Sequence, residues 1–147
     1  MIDPARWSDP EVARRILTEF HVWAVVGASP DPTRASHSVA RSLMRFGYEM
    51  IPIYPRDTVI HGVPTVPDLR TAAAQRPPNS PIDVVDIFRA SHRAGAHMDE
   101  AIEIGAKAVW VQLGVWDEAA AERAAAAGLL VVMDRCPAID YPALLRG

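Results

Sequence analysis

Lysine is nearly missing from this chain, and cysteine occurs once. Lys107 is the sole lysine, so covalent catalysis through an amine has a single candidate, and it stands at the start of an apolar run. Cys136 alone excludes an intrachain disulfide framework and suits a reducing, cytoplasmic setting. No apolar run approaches the ~20 residues of a membrane-spanning helix. The opening carries Asp3, Arg6, Asp9, Glu11, Arg14 and Arg15 where a signal peptide would need an apolar core. Charge of one sign is lacking too: a net charge of −3 leaves no basic excess to attract nucleic acid or an anionic membrane surface.

What remains is an ordinary globular composition, 50% hydrophobic and 22% charged over 147 residues, enough chain for one domain with a real core. The expectation is a single domain over 1–147, with an N-terminal helix (1–21) packed on it. Ser8 and Glu11 read as a capping box with Pro10 in the first turn, and Val12, Ile16, Leu17 and Phe20 recur at helical spacing.

Val22-Trp23-Ala24-Val25-Val26 is apolar on both faces, as a covered parallel strand requires. Three times thereafter a helical stretch ends at a glycine and passes directly into an apolar run. Gly47 precedes Met50-Ile51-Pro52-Ile53, Gly105 precedes Val109-Trp110-Val111, and Gly128 precedes Leu130-Val131-Val132. A further strand, Val84-Val85-Asp86-Ile87, follows the proline-rich loop Pro77–Pro81. Ser36 is expected to cap a helix over 37–46, Ser91 and Asp117 to open two more, and Pro52 to distort a central strand. Strand alternating with helix predicts an α/β fold: a Rossmann-like, doubly wound sheet of about five parallel strands with helices on both faces.

Ligands in such a sheet bind beyond the carboxyl ends of its strands. After the first strand comes Gly27-Ala28-Ser29, then Arg34 and Ser36 at the start of a helix, a loop suited to phosphate or equally to a solvated surface. It is not the dinucleotide fingerprint, because Ser29 and Pro32 stand where G-x-G-x-x-G needs glycine. Tyr54-Pro55-Arg56 ends the second strand where an NAD site usually has an acid; Arg56 suits a ribose phosphate, as in NADP enzymes, or open solvent. Phe88 and Arg89 end the third strand and Gln112 and Gly114 follow the fourth, so several strand ends are suited to a ligand together.

Other chemistry finds little support. His21, His37, His61, His92 and His97 complete no zinc-ligand spacing, and no G-x-S-x-G elbow is present. Asp83 and Asp86 lack the acidic pair and lysine of a phosphoacceptor site, and Asp86 is expected to anchor a turn. Cys136 beside Arg135 is read as a small buried residue, the alternative being a thiol able to form a mixed disulfide.

The segments Val25-Val26-Gly27-Ala28-Ser29, Pro32, Arg34, Ser36, Gly47-Tyr48, Pro55-Arg56, Asp86-Ile87-Phe88-Arg89, Val109-Trp110-Val111-Gln112-Leu113-Gly114 and Met133-Asp134-Arg135-Cys136-Pro137 occur in the same order in another group of proteins. Together they resemble the small stand-alone CoA-binding proteins, which are similar to the N-terminal domain of succinyl-CoA synthetase α subunits. The resemblance implies coenzyme A as cofactor, free or acylated, held by its ADP part. It sets Gly27, Ala28, Ser29, Arg34 and Ser36 along the phosphates, Pro55 and Arg56 near the ribose and its 3′-phosphate, Phe88 and Arg89 beside adenine, and Gln112 and Gly114 on the opposite lip. Tyr54 departs from the family's Asn-Pro pair. The synthetases phosphorylate a histidine of a second domain absent here, so the expected role is non-catalytic binding in the cytoplasm. The alternatives are an NADP-binding oxidoreductase and a CoA-responsive scaffold with a protein partner or a second copy of itself.

Overall fold

The computed structural model describes residues 2–146. Five parallel strands form the central sheet: β1 (Val22–Val26), β2 (Glu49–Ile53), β5 (Val84–Ile87), β6 (Ala108–Val111) and β7 (Leu130–Val132), in the spatial order β2-β1-β5-β6-β7. A short hairpin, β3 (Val59–Ile60) with β4 (Val63–Pro64), intervenes in the chain between β2 and α4 (Leu69–Gln75). The Rossmann-like expectation is therefore met, and the 56–75 hairpin and helix add elements that the periodicity did not reveal.

Alternation along β1 divides the core. Val22, Ala24 and Val26 face one layer and Trp23 and Val25 the other, all essentially buried. The first layer is covered by α4, α5 (Ser91–Glu103) and α6 (Glu118–Ala126), the second by α2 (Pro10–Glu19), α3 (Ala35–Arg45) and α7 (Pro137–Tyr141). The fully buried indoles of Trp23 and Trp110 lie 5.7 Å apart in the second layer. Each indole N–H finds a carbonyl, that of Phe20 or Arg135, which removes the cost of burying it.

The chain leaves β1 toward β2 through α3 and leaves β5 in the opposite direction toward β6 through α5. Right-handed crossovers that move opposite ways along a sheet must use opposite faces. A crevice consequently opens at the carboxyl ends of β1 and β5.

Several local expectations are corrected. The one N-terminal helix expected over 1–21 is two, α1 (Pro4–Trp7), capped by Asp3, and α2 (Pro10–Glu19), and Asp9, not Ser8, caps α2, its carboxylate accepting from the Glu11 N–H at 2.9 Å. α3 begins at Ala35 with Arg34 at the cap position and no side-chain cap, so Ser36 lies inside the first turn. α5 likewise follows Ala90 without a side-chain cap, while Ser91 accepts from Trp116 N–H instead. Asp117 does cap α6, accepting from Ala120 N–H. Pro52 keeps its register opposite Val25 in β2, which is an edge strand of the five and not a central one. Its carbonyl points outward to accept from Val66 N–H, so the donor it lacks is missing from the outer side and not from the β1 ladder.

Candidate functional site

Gly27 ends β1 with φ +83°, and a Cβ there would collide with the carbonyl oxygen of Phe88. The close approach follows from the sheet: Phe88 N–H donates to the Val26 carbonyl, drawing the ends of β1 and β5 together. Only glycine meets both the left-handed backbone and the missing space.

Above this turn lies a cavity of about 890 Å³ that extends from the ends of β2 and β1 to that of β6. Nine of the eleven residues singled out from sequence line it: Gly27, Ala28, Ser29, Arg34 and Ser36 on the first wall, Pro55 at the end of β2, Phe88 and Arg89 after β5, and Gln112 after β6. The other two do not. Arg56 is exposed just beyond Pro55, its carbonyl accepting from Thr65 Oγ1, and Gly114 donates its N–H to Asp134 Oδ1 outside the lining.

The electrostatics of this cavity come from helix ends as much as from side chains. Aspartates cap α2, α4 and α6, whereas no side chain among the described residues caps α3 or α5. Ala35 and Ser36 of α3 and Ala90 at the cap of α5 line the cavity, so two free helix N-termini open toward it. Arg34 and Arg89 add cationic charge at the same end.

Acids also border the cavity, and each is engaged. Asp31 accepts from the Thr33 N–H and hydroxyl, which holds its carboxyl below the usual range. Asp68 accepts from Thr71 N–H as the cap of α4, with the same effect. Glu100 pairs with His97, Oε1 to Nδ1 2.7 Å. These wall residues escaped the sequence reading. Asp68, three residues before Thr71, carried the signature of a cap, and His97 and Glu100 form an i, i+3 stripe beside the core stripe of Met98 and Ala101.

Elsewhere the structure revises the sequence reading. Asp86 anchors no turn: it is wholly buried in β5, and neither carboxylate oxygen has a hydrogen-bond partner among the described residues. Burial without a partner raises its pKa well above the ordinary value. Cys136 is 7% exposed, and the guanidinium of Arg135 is held by Asp140 at 2.6 Å, so the arginine's charge is spent on the carboxylate. His37 packs its ring 4.3 Å from that of His61 at the hairpin tip and is not among the lining residues. No helix among the described residues is long and apolar enough to cross a membrane.

A turn that only glycine fits, two helix N-termini and a crevice at the reversal of strand order are the features of a Rossmann-like α/β domain. The chain belongs to the CoA binding domain family, whose pattern it matches over residues 21–142. It is 35% identical over 123 residues to an uncharacterized protein of Bacillus subtilis, YneT, covering 84% of this chain and 87% of that protein. The fold is similar to that of a hypothetical protein from Pyrococcus horikoshii, with TM-score 0.83 and 32% identity over 99% of this chain and 98% of that one. A Thermus thermophilus structure is also similar, with TM-score 0.81 and 28% identity over 93% and 99% of the two chains.

Proposed function

We propose that the protein binds coenzyme A, holding the ADP part at the carboxyl ends of β1, β2 and β5, and that its role is binding without chemistry of its own. The observation that carries this reading is the pair of uncapped N-termini, α3 and α5, opening on the same cavity as the Gly27 turn. A diphosphate along residues 27–29 would meet the first amides of α3, with Arg34 and Ser36 beside them and Arg89 closing from the β5 side. Pro55 and Phe88 offer apolar walls for adenine, and Arg56, outside the lining, would meet the 3′-phosphate at the mouth. Membership in the CoA binding domain family supports the choice of ligand.

Thermal melts with CoA, acetyl-CoA, dephospho-CoA, ADP and NADP test the reading. A ligand binding only the native state at ~100 times its Kd stabilises by about 2.7 kcal/mol, a shift easily seen. CoA and acetyl-CoA should raise Tm and NADP should not, and acetyl-CoA should release no thiol above the blank. A shift with NADP alone overturns the ligand, and enzyme-dependent thiol release overturns the non-catalytic role.

A further inference from the structure

The hairpin between β2 and α4 is tied down at both ends. At its base Val66 N–H donates to the Pro52 carbonyl and Tyr54 N–H to the Val66 carbonyl. Its tip is the two-residue turn His61-Gly62, both with positive φ (+51° and +80°), as a type I′ turn requires. That tip rests on the first turn of α3: His61 Nε2 donates to the His37 carbonyl at 2.6 Å, and the two imidazoles lie 4.3 Å apart. The contact joins two walls of the cavity. Pro55 and Pro67, which flank the hairpin, line one; Ala35 and Ser36, just before His37, line the other.

A carbonyl can only accept, so His61 carries its proton on Nε2, and the bond survives when the ring gains a second proton on Nδ1. His37 has no such tolerance. Its Nδ1 is buried without a hydrogen-bond partner among the described residues. A neutral ring can leave that nitrogen bare, but an imidazolium must donate from both nitrogens, and here one N–H would lack an acceptor. Three titratable or charged groups face the ring: His61 from the hairpin, Arg41 one turn along α3, and Asp31 from the loop after β1. Asp31 favours the charged ring, but partial burial, His61 and Arg41 outweigh it and hold the His37 pKa below the ordinary 6.5. The α3 N-terminus acts in the same sense as Arg41.

We propose that His37 and His61 form a pH-sensitive latch, which ties the hairpin wall of the cavity to the α3 wall while His37 is neutral and loosens when His37 takes a proton. A released ring, in water, regains its ordinary affinity for a proton, so the latched state binds fewer protons than the open one. The latch is therefore fully present above the 6.5 of an open ring and is lost as pH falls toward the lower latched value. Ile60, beside His61, is 1% exposed in the second layer, so acid raises the population of a loosened hairpin without detaching it. The latch belongs to the chain's own hairpin and stands whether or not the ligand is CoA.

Amide hydrogen exchange of the ligand-free protein, read by NMR at pH 7.5 and 5.5 and corrected for intrinsic rates, tests the latch. Thr58 and Thr65 exchange bonds within the hairpin, and a two-stranded hairpin is barely stable alone, so their amides report on its docking. Their protection relative to β1 should fall about tenfold at pH 5.5, the order expected when two like charges stand this close near a surface. His37→Gln keeps the carbonyl that His61 bonds and cannot take a charge, so its protection should hold within about twofold. Unchanged protection in the wild type, or a fall of equal size in the variant, overturns the latch. A second measurement needs no variant: the Ile60 methyl resonance should titrate with the same midpoint as the His37 ring, below pH 6.5. A methyl that stays in place, or follows another midpoint, overturns it as well.

Discussion

The Cα of Gly27 lies under the backbone carbonyl of Phe88, so close that a side chain on residue 27 would occupy the carbonyl's own space. One hydrogen bond, Phe88 N–H to the Val26 carbonyl, sets this distance. The two residues stand 61 positions apart in the chain, and their contact forms the floor of the cavity. Gly27→Ala would combine a left-handed backbone with a backbone clash that no rotamer relieves. The expected cost is about 2–3 kcal/mol, read by urea denaturation, with loss of CoA binding. A variant that melts and binds like wild type would show that the floor yields.

Asp86 ties stability to pH in an unusual direction. Its folded pKa is raised by burial above the unfolded value of 3.8, so the folded chain holds a proton that the unfolded chain releases. Stability is therefore fully present below about pH 3.8 and is lost progressively as pH rises toward the folded pKa. Asp86→Asn removes that proton uptake. At pH 8 the variant should gain on wild type, and the gap should narrow as denaturation is repeated at pH 6 and pH 4. Parallel pH curves would show that the carboxyl ionises in place.

Arginine contributions should separate by ligand. Arg34 makes no side-chain hydrogen bond among the described residues and is exposed, so Arg34→Ala should leave Tm within about 1 °C of wild type. It should weaken CoA about tenfold at low salt, less at 0.5 M NaCl, as a charge-assisted phosphate contact requires. Arg56→Ala should weaken CoA more than dephospho-CoA, which lacks the 3′-phosphate. Equal losses would remove Arg56 from that role.

A second close approach lies away from the cavity. A Cβ on Gly95 of α5 would run into the carboxylate of Asp117, which caps α6 through Ala120 N–H at 3.0 Å. Asp117→Ala should cost about 1 kcal/mol as a lost cap, and Gly95→Ala a similar amount by displacing it. The double variant should cost less than the sum, because the cap is lost only once. Full additivity in a double-mutant cycle would show that the two act independently.

Much of this was legible before any fold was known, for reasons visible in particular residues. β1 announced itself because a strand covered on both faces must be apolar throughout, and the glycines at 47, 105 and 128 marked the helix-to-strand turns because each takes a positive φ. The caps were harder. Ser36 and Ser91 have the right chemistry at nearly the right place, but they stand two residues and one residue past the cap positions, Arg34 and Ala90. The hairpin at β3 and β4 was hidden because two-residue strands carry no periodicity.

Sequence alone determined the alternation of strands and helices, the glycine at the end of β1 and the residue types gathered after each strand, since these are local matters of propensity and spacing. Only the tertiary structure decided which strand ends share one cavity. It separated Pro55 from Arg56 and Gln112 from Gly114, left Asp86 without a partner among the described residues, and brought Asp68, His97 and Glu100 to the wall. The reason is that strand order and crossover side, which set what faces what, are properties of the packed sheet and of no single segment.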